Sequence, residues 1–453
     1  MKNKGILSDK EFLANVGKLF SASAIAQAVP FFVLPFLTRI YGPEEFGVWV
    51  YFLSLSGIFS IIITGNYEFA IMLPKERSEA TSTVTLTMLL GLISSSVMVL
   101  ISFMFRDKLN IMLGLENAEN LIFLIPLMAF LFAAYRTCNI WNNRNNKYSV
   151  TAVANVFRSL STTGYQFHSG YYGYSNYFGL ILGSVIGYSL GIIFQIRDIF
   201  KAMAENVSQL KISTLKEQMI KYRKFPQFFL FSELTNYFSS NIPVLFLTNL
   251  FSSTVAGLYS IPHKFINVPM SMLGTSVSQV YYRKATLLKA DSEELGKVTF
   301  EIYKKMIYLG IIPLSIVAGY GDIIFGFILG AEWGVAGSYA GLLAPWMLLV
   351  FATSPVSIVF AVLEKQKESL KLNIVLLIIR LAAFLLGGLL LKSAFWAIAL
   401  FGGSGFIYWL YFSFYVLNIS GSDLEKAKWF IIKNFAYIML PVILSRAIFL
   451  WID

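Results

Sequence analysis

Apolar runs of about 20 residues recur along the whole chain and are separated by short polar segments. An α-helix needs about this length to cross ~30 Å of hydrocarbon. The runs are too long for the strands of an outer-membrane barrel and lack their alternation. The pattern predicts an all-α polytopic membrane protein. We place its helices near 12–38, 45–66, 81–105, 117–139, 149–168, 175–197, 225–249, 254–280, 299–320, 335–363, 371–391 and 393–417, with a thirteenth candidate at 429–451.

The composition is typical of a membrane protein and limits the kinds of functional site that the chain can form. Hydrophobic residues make up 57% and charged residues 13% of 453 residues. Cys138 is the single cysteine and His168 and His263 are the two histidines, so a disulfide framework within the chain and a zinc site are not expected. We find no P-loop and no catalytic triad or paired carboxylates in a segment outside the membrane. We therefore predict a protein without a cofactor that is not an enzyme.

The distribution of positive charge predicts the topology. Of the 36 Lys and Arg residues, 27 fall in alternate polar segments and only four, Arg39, Arg106, Lys108 and Lys392, fall in the opposite ones. Positive residues stay on the cytoplasmic side of spanning helices. The bias predicts a multi-pass membrane protein with a cytoplasmic N-terminus. The net charge of +11 then reflects topology and attraction to anionic lipid, with no nucleic acid as partner.

Several segments between the spans have predictable roles. Ser8 and Glu11 have the spacing of a capping box and open a short interfacial helix on the cytoplasmic side. The polar stretch 197–224 has helical spacing of apolar residues and predicts an amphipathic linker on the membrane surface. The longest outer loops are expected around 106–116 and 321–334. A tyrosine-rich outer segment, His168–Tyr174, could stack on sugars or form an interfacial aromatic belt.

A repeat divides the chain into two halves. Phe36-Leu37-Thr38 ends the first span, and Gly47 follows in the second. The same residues recur 210 positions later, at 246–248 and at Gly257. An even number of spans per half gives two parallel units, as in transporters that bind substrate in a central cavity. We predict two six-helix bundles related by a pseudo-two-fold axis, with about 12 (or 13–14) transmembrane helices: 1–210, 211–420, and an additional hydrophobic helix in 421–453.

Ionisable residues within the spans are the candidate functional residues. A charge at the bilayer centre costs about 3 kcal/mol on insertion scales and should face a cavity or a partner. Cations outnumber carboxylates there, and a cationic cavity suits a diphosphate group. The candidates for substrate binding are Arg158, Lys264, Arg380 and Arg136, and the candidates for ion coupling are Glu233, Glu68 and His263.

Structural roles for the same residues stay open. Either mid-span arginine could pair with Glu233, and Arg136 could extend its charge to the membrane interface. His263 could be a packed, hydrogen-bonded histidine rather than a proton-linked switch. Glu68, at the end of the second span, could anchor that helix.

Two segments resemble a known family. They are PFLTRIYGPEEFG at 35–47 and YEFAIMLP at 67–74, the latter followed by Glu79-Ala80. In the second half Ala256-Gly257-Leu258-Tyr259-Ser260 and Pro269 fit the same pattern. The chain resembles the polysaccharide-transport branch of the multidrug/oligosaccharidyl-lipid/polysaccharide (MOP) exporter superfamily, specifically Wzx-type O-antigen flippases. The resemblance covers most of the chain and weakens after about residue 370.

The resemblance implies a function. Such a protein moves an undecaprenyl-diphosphate-linked oligosaccharide, an O-antigen or capsule repeat unit used for lipopolysaccharide or polysaccharide biosynthesis, from the cytoplasmic to the periplasmic leaflet. Two lobes would alternate between inward-open and outward-open states, with mid-span cations holding the diphosphate. Membrane lipids are further partners, and a glycan polymerase and a chain-length regulator are candidate protein partners.

Other functions are compatible with the sequence. A lipid II exporter of the same superfamily also handles a diphosphate lipid, whereas a drug exporter would favour acidic cavity residues. From a different class, a glycan polymerase or a sugar acyltransferase would be a membrane enzyme, and a polymerase should carry a large periplasmic loop. A scaffold for glycan assembly would not explain buried cations.

Overall fold

The computed structural model describes residues 27–114, 120–173, 176–207 and 210–452. These residues form helices and turns and contain no strand, which confirms the all-α prediction. Within these ranges nine helices are long and apolar enough to cross a membrane. The chain divides into two compact units, Met1–Asn241 and Ile242–Asp453. The predicted interfacial helix at Ser8–Glu11 lies outside the described residues.

The described residues of the first unit form eight helices and the beginning of a ninth. A short 3₁₀ helix, Tyr67–Met72, follows the second of them, and a π-helical turn, Phe225–Phe229, precedes the ninth. The helices are α1 (Gln27–Leu37), α2 (Pro43–Thr64), α3 (Arg77–Met104), α4 (Arg106–Met112), α5 (Leu121–Arg144), α6 (Tyr148–Tyr171), α7 (Tyr177–Glu205), α8 (Ile212–Lys221) and α9 (Leu230–Leu250).

The second unit begins inside α9. Two π-helical turns, Leu386–Leu390 and Phe435–Met439, extend helices of this unit, and 3₁₀ turns at Ala331–Trp333 and Val356–Ile358 connect others. The remaining helices are α10 (Ser253–Leu287), α11 (Ser292–Leu329), α12 (Gly334–Thr353), α13 (Val359–Val362), α14 (Gln366–Leu385), α15 (Ala394–Ile419), α16 (Leu424–Asn434) and α17 (Leu440–Ile452).

Local sequence sets where these helices begin. Pro43 occupies the first turn of α2, where its fixed φ suits the helix and its missing N–H is not needed. Ser252 and Asp291 cap α10 and α11, because their side-chain oxygens accept hydrogen bonds from backbone N–H groups three residues on. Gly65 ends α2 in a left-handed conformation with φ of 57°. The spans predicted from residue 45 onwards are helical for most of their length, although the tenth, 335–363, is interrupted at residues 354–358 and the ninth extends beyond its predicted bounds at both ends. Of the first predicted span, residues 12–26 lie outside the described residues.

Close approach of α6 and α7 fixes the interior of the first unit. Gly183, Gly187 and Gly191 recur every fourth residue on α7, the spacing that lets two membrane helices come together. A Cβ atom on Gly187 would lie 2.7 Å from the backbone oxygen of Arg158 on α6. Any side chain at this position would separate the two helices, so glycine here determines where Arg158 lies.

The predicted linker contains a short helix that docks on the first unit. The hydroxyl of Tyr67 donates a hydrogen bond to the backbone oxygen of Met219 on α8, at 2.9 Å. Lys221 pairs with Glu79 at the start of α3. Tyr222 is buried against Tyr67 in a small apolar cluster. The predicted helical spacing of 197–224 thus corresponds to the end of α7 and to α8.

Two segments predicted as outer loops are largely helical. Residues 106–112 form α4, and α11 continues through the predicted loop 321–334 as far as Leu329. The backbone of α11 bends at Tyr320, where φ is −129° and ψ is 21°. Polar residues such as Asp322 lower the mean hydropathy of this segment, which is why a loop was predicted. The helix instead bends at Tyr320 and continues to Leu329.

The two halves share packing that an internal repeat predicts. Trp49 on α2 and Tyr259 on α10 are 210 residues apart, as are the repeated segments. Trp49 donates a hydrogen bond from Nε1 to the Oγ of Ser184 on α7, at 2.9 Å. Tyr259 packs edge-to-face on Phe401 of α15. Each residue therefore contacts the sixth predicted span of its own half. The division of the chain at residues 210 and 420 stays a prediction.

The last helical segment, α16 and α17, lies along α11 for most of its length. The Oγ of Ser422 donates a hydrogen bond to the backbone oxygen of Gly296, at 2.8 Å. Phe430 packs on Phe300, with ring centres 5.9 Å apart. Near the far end the Nη2 of Arg446 is 2.5 Å from the Oδ2 of Asp322. Because these contacts follow the same order along both segments, α16–α17 runs parallel to α11 and reaches the same depths.

Parallel packing predicts that the last segment crosses the membrane with α11. Alkaline phosphatase fused after Gly421, in a chain that stops there, and the same enzyme fused after Asp453 should report opposite sides of the membrane. A green fluorescent protein fused at each position provides the reciprocal readout. Equal activity of the two phosphatase fusions, with equal fluorescence, would place residues 424–452 on the membrane surface instead.

Candidate functional site

The guanidinium group of Arg158 lies against two adjacent tyrosine rings in the first unit, whose centres are 5.2 Å apart. Its guanidinium carbon is 5.5 Å from the ring centre of Tyr135 on α5 and 4.8 Å from that of Tyr188 on α7. The hydroxyl of Tyr135 donates a hydrogen bond to the Oδ1 of Asn155, which precedes Arg158 by about one turn of α6. We call these four residues the Arg158 cluster.

The charge of Arg158 is compensated only in part. No carboxylate of a described residue forms an ion pair with it, so the pairing with Glu233 considered above is not formed. Its buried Nε atom has no hydrogen-bond acceptor. Each ring face contributes about 0.5–2 kcal/mol of attraction, against a cost of about 3 kcal/mol for an arginine at the bilayer centre. The cluster is therefore a partly buried cationic site that would accept an anion.

Arg380 occupies a similar environment in the second unit. Its guanidinium carbon is 5.9 Å from the ring centre of Phe401 on α15. Tyr259 of α10 packs edge-to-face on the same ring, with ring centres 6.3 Å apart. The ring of His263 stacks on Tyr259 at 5.4 Å and on Trp346 of α12 at 6.3 Å. We call Tyr259, His263, Arg380 and Phe401 the Arg380 cluster.

The two clusters occupy matching places in the two halves. Arg158 belongs to the fifth predicted span and Arg380 to the eleventh, which is the fifth of the second half. In each case an aromatic ring of the next span faces the guanidinium group, Tyr188 on α7 and Phe401 on α15. Each unit thus presents one cation on its fifth span against an aromatic residue of its sixth.

Arg136 and Glu68 form a buried ion pair. The Nη2 of Arg136 on α5 is 2.5 Å from the Oε1 of Glu68, in the 3₁₀ helix after α2. The Glu68 side chain is 0% exposed and that of Arg136 is 25% exposed. The same nitrogen approaches the backbone oxygen of Ser60, and the guanidinium carbon is 5.8 Å from the ring centre of Phe69. Arg136 therefore compensates the Glu68 carboxylate and does not extend alone to the interface.

Three further candidate residues lie on α9 and α10. Lys264 follows His263 on α10 and is exposed. Glu233 is half-buried on α9. The amide nitrogen of Asn267 lies 3.1 Å from the Nε2 and 3.3 Å from the Nδ1 of His263. Roles of Glu68, Glu233 and His263 in ion coupling stay predictions. In the described residues no group of three or more His, Cys, Asp and Glu side chains could hold a metal ion.

Sequence reasoning missed the aromatic partners and one ion pair. Tyr135, Tyr188 and Phe401 resembled ordinary apolar positions of spans, and only their placement opposite an arginine distinguishes them. Arg446 was assigned no role, yet it pairs with Asp322 and lies 5.8 Å from the ring centre of Tyr320. The signal in the sequence was that Asp322 and Arg446 lie near the corresponding ends of two predicted spans that cross the membrane in the same direction.

The sequence matches the family model described as "Polysaccharide biosynthesis protein" over residues 36–337. The match begins near the end of α1 and extends to the first turn of α12. It confirms the resemblance inferred from the segments at 35–47 and 67–74. No curated protein sequence matches the chain.

The fold is similar to that of solved membrane transporters. A structure of "Lipid II flippase MurJ, inward closed conformation" has a TM-score of 0.69 at 15% identity, covering 96% of this chain and 93% of that one. An inward-facing multidrug resistance MATE family transporter of the MOP superfamily has a TM-score of 0.59 at 12% identity, covering 90% and 95%. A MATE structure in the bent conformation has a TM-score of 0.51 at 14% identity, covering 90% and 97%. At these identities the likeness shows the fold alone, and it confirms the predicted fold class.

The buried pair of Glu68 and Arg136 predicts an asymmetric mutational response. Arg136→Met should lower the free energy of unfolding by about 3 kcal/mol, because it leaves a buried carboxylate without its partner. The double variant Glu68→Gln/Arg136→Met should recover most of that loss. Thermal unfolding of the purified protein in detergent measures both effects.

A surface ion pair provides the control for this experiment. Glu425→Gln removes the partner of Lys428 on α16, where both side chains are exposed, and should change stability by less than about 1 kcal/mol. If Arg136→Met melts at the same temperature as Glu425→Gln, the buried pair does not stabilise the fold.

Proposed function

Because the chain belongs to the polysaccharide biosynthesis protein family, we propose that it is a flippase for a lipid-linked oligosaccharide. The proposed substrate is an undecaprenyl-diphosphate-linked O-antigen or capsule repeat unit. It would move from the cytoplasmic to the periplasmic leaflet of the bacterial inner membrane by alternating access, with the N-terminus of the protein in the cytoplasm. A glycan polymerase and a chain-length regulator are the proposed protein partners.

The observation that carries the proposal is the Arg158 cluster. A guanidinium group lies among membrane-spanning helices without a carboxylate partner among the described residues. The arginine fork is suited to a diphosphate, whose oxygens accept parallel, charge-assisted hydrogen bonds. The tyrosine rings hold the side chain in place without neutralising it, so the charge stays available to a substrate.

The Arg380 cluster supports the same substrate chemistry from the second unit. Arg380 lies over Phe401, and His263 is stacked beside Tyr259. A drug exporter for cationic compounds would need carboxylates at such positions, because cations repel one another in low dielectric. The clusters therefore favour an anionic over a cationic substrate.

A lipid II exporter is the second candidate function. The likeness in fold to a lipid II flippase and the shared diphosphate chemistry favour it. A glycan polymerase is the candidate from a different class. Chromatography of lipid-linked oligosaccharides and staining of surface glycan distinguish these three functions.

A strain that lacks the gene tests the proposed function. Chromatography of lipid-linked oligosaccharides should show complete, unpolymerised repeat units accumulating on the inner side of the membrane, while staining shows loss of surface glycan. Accumulation of lipid II with arrested cell-wall synthesis would indicate the lipid II exporter. Single repeat units that reach the surface unpolymerised would indicate the polymerase.

Neutralising the cationic candidates should reduce export. Replacing Arg158 or Arg380 by Ala should lower the rate of glycan export about 10- to 100-fold, the effect of losing one charge-assisted hydrogen bond, while membrane insertion is retained. Lys264→Ala should reduce export in the same direction. Lys433→Ala removes an exposed cation of α16 and serves as the control. Full export by the Arg158, Arg380 and Lys264 variants would contradict the assignment of substrate contacts.

A further inference from the structure

An apolar groove lies between α1 and α6 in the first unit. Its volume is about 410 Å³, and its lining is almost entirely apolar. Both helices contribute, over two to three turns each. The lining side chains are Val29, Val33 and Phe36 of α1 and Leu160, Thr163 and Phe167 of α6.

The groove arises because α1 and α6 meet at one end and separate towards the other. The hydroxyl of Tyr41 donates a hydrogen bond to the backbone oxygen of Gln166, at 2.7 Å. A Cβ atom on Gly170 would lie 2.3 Å from a methyl carbon of Ile40, so the chains touch there. At Gly164, nearly two turns earlier on α6, no atom lies within 4 Å of such a Cβ. The groove is therefore open at Gly164, and the two segments are in contact at Gly170.

Exposed aromatic side chains lie next to the groove, on the same stripe of α6. The ring of Phe167, which lines the groove, stacks on Tyr171 with ring centres 6.4 Å apart and 15° between the planes. Tyr171 packs edge-to-face on Tyr172, and Tyr172 contacts His168 at 4.6 Å. Tyr171 and Tyr172 are 73% and 66% exposed. We call Phe167, His168, Tyr171 and Tyr172 the aromatic patch; Tyr174 of the same predicted segment lies outside the described residues.

The groove and the Arg158 cluster lie on different faces of α6. Leu160, Gly164, Phe167 and Tyr171 follow one another at spacings of four, three and four residues, which places them in one stripe along the helix. Arg158 is two residues before this stripe begins and faces Tyr135 and Tyr188. A ligand in the groove would therefore be separate from the proposed diphosphate contacts of Arg158.

The depth of the groove in the membrane determines whether it faces hydrocarbon chains or polar head groups. Tyrosines mark the boundary between hydrocarbon and head groups in membrane proteins. At a rise of 1.5 Å per residue, the lining residues of α6 lie about 6 to 18 Å along the helix from Tyr171 and Tyr172. The groove is thus at the level of hydrocarbon chains, and the aromatic patch is at the level of polar head groups.

We propose that this groove and patch bind the lipid-linked glycan in the outer leaflet, with the polyprenyl chain in the groove and the first sugars on the patch. The inference rests on the proposed function and adds a second binding place for the same substrate, on the face of α6 that does not carry Arg158. A hydrocarbon chain fits the apolar lining, and sugars fit exposed rings that carry hydroxyl groups. Arg39 is exposed beside Ile40, at the end where α1 and α6 meet, and its charge complements the diphosphate that joins the two parts.

The aromatic patch is the reason for proposing a lipid-linked glycan, and not a phospholipid, as the ligand of the groove. Hydrocarbon alone gives no preference in a bilayer, because acyl chains are as apolar as the groove. Any preference must come from the head group. Tyr171, Tyr172 and His168 offer ring faces and hydrogen-bonding atoms that a sugar can use and that a small phospholipid head group fills poorly.

Photocrosslinking tests the proposal on the full-length protein. Benzoylphenylalanine replaces Gly164 in one variant and Gly403 in the control, since both glycines have open space where a side chain would extend. The proteins are placed in vesicles of phosphatidylethanolamine and phosphatidylglycerol with tritiated undecaprenyl diphosphate N-acetylglucosamine. Labelling at position 164 should exceed that at position 403 about tenfold, the ratio that one good polar contact gives. Equal labelling, a crosslink to phospholipid only, or a crosslink within the chain would overturn the proposal.

A second variant identifies the contribution of the patch. Tyr171→Ala combined with Tyr172→Ala should remove the excess labelling at position 164 without changing the labelling by phospholipid. Retention of the full excess would overturn the assignment of the sugars to the patch.

Transport by the wild-type vesicles separates this inference from the proposed function. Vesicles that do not move the probe between leaflets would contradict the proposed function itself. If they move the probe but label positions 164 and 403 equally, only the groove is excluded as its binding place. Gly164→Trp should slow transport more than Gly403→Trp, because the indole fills the groove.

Discussion

The cost of placing a charge in hydrocarbon is the constraint on which the rest of this structure depends. Few cations lie within the spanning helices, and the contacts of three of them show three solutions. Arg136 is neutralised by Glu68, and Arg446 pairs with Asp322 at the ends of two parallel helices. Arg158 is held by tyrosine rings without a carboxylate partner in the described part of the chain. Only the third solution leaves a charge available to a ligand.

Much of this fold follows from hydropathy, because a spanning helix must satisfy its own backbone and present apolar side chains to lipid. The sequence therefore located the helices and the ionisable residues within them. It did not show which residues meet. Glu68 and Arg136 are 68 positions apart on different elements, and no local rule pairs them. The loop predicted at 321–334 was wrong because polar residues near a bend, such as Asp322, lower hydropathy without ending the helix.

The internal repeat explains why each unit carries a cationic cluster. The same fold unit places an arginine on the fifth span of each half, against an aromatic ring of the following span. The surroundings differ: two adjacent tyrosine rings face Arg158, whereas the Arg380 cluster contains a histidine stacked on Tyr259. The shared geometry derives from backbone packing that both halves retain. The differences lie in side chains, which is where the chemistry of a substrate would be distinguished.

The contact between Asp322 and Arg446 also orders events in time. These residues are 124 positions apart, so Arg446 is synthesised well after Asp322. When α11 enters the membrane, the Asp322 carboxylate has no arginine to pair with, and it gains one only after α17 has been inserted beside it. Assembly of the second unit therefore includes a pairing step that follows synthesis of Arg446, and a chain cut short before this residue would leave Asp322 as an uncompensated acid.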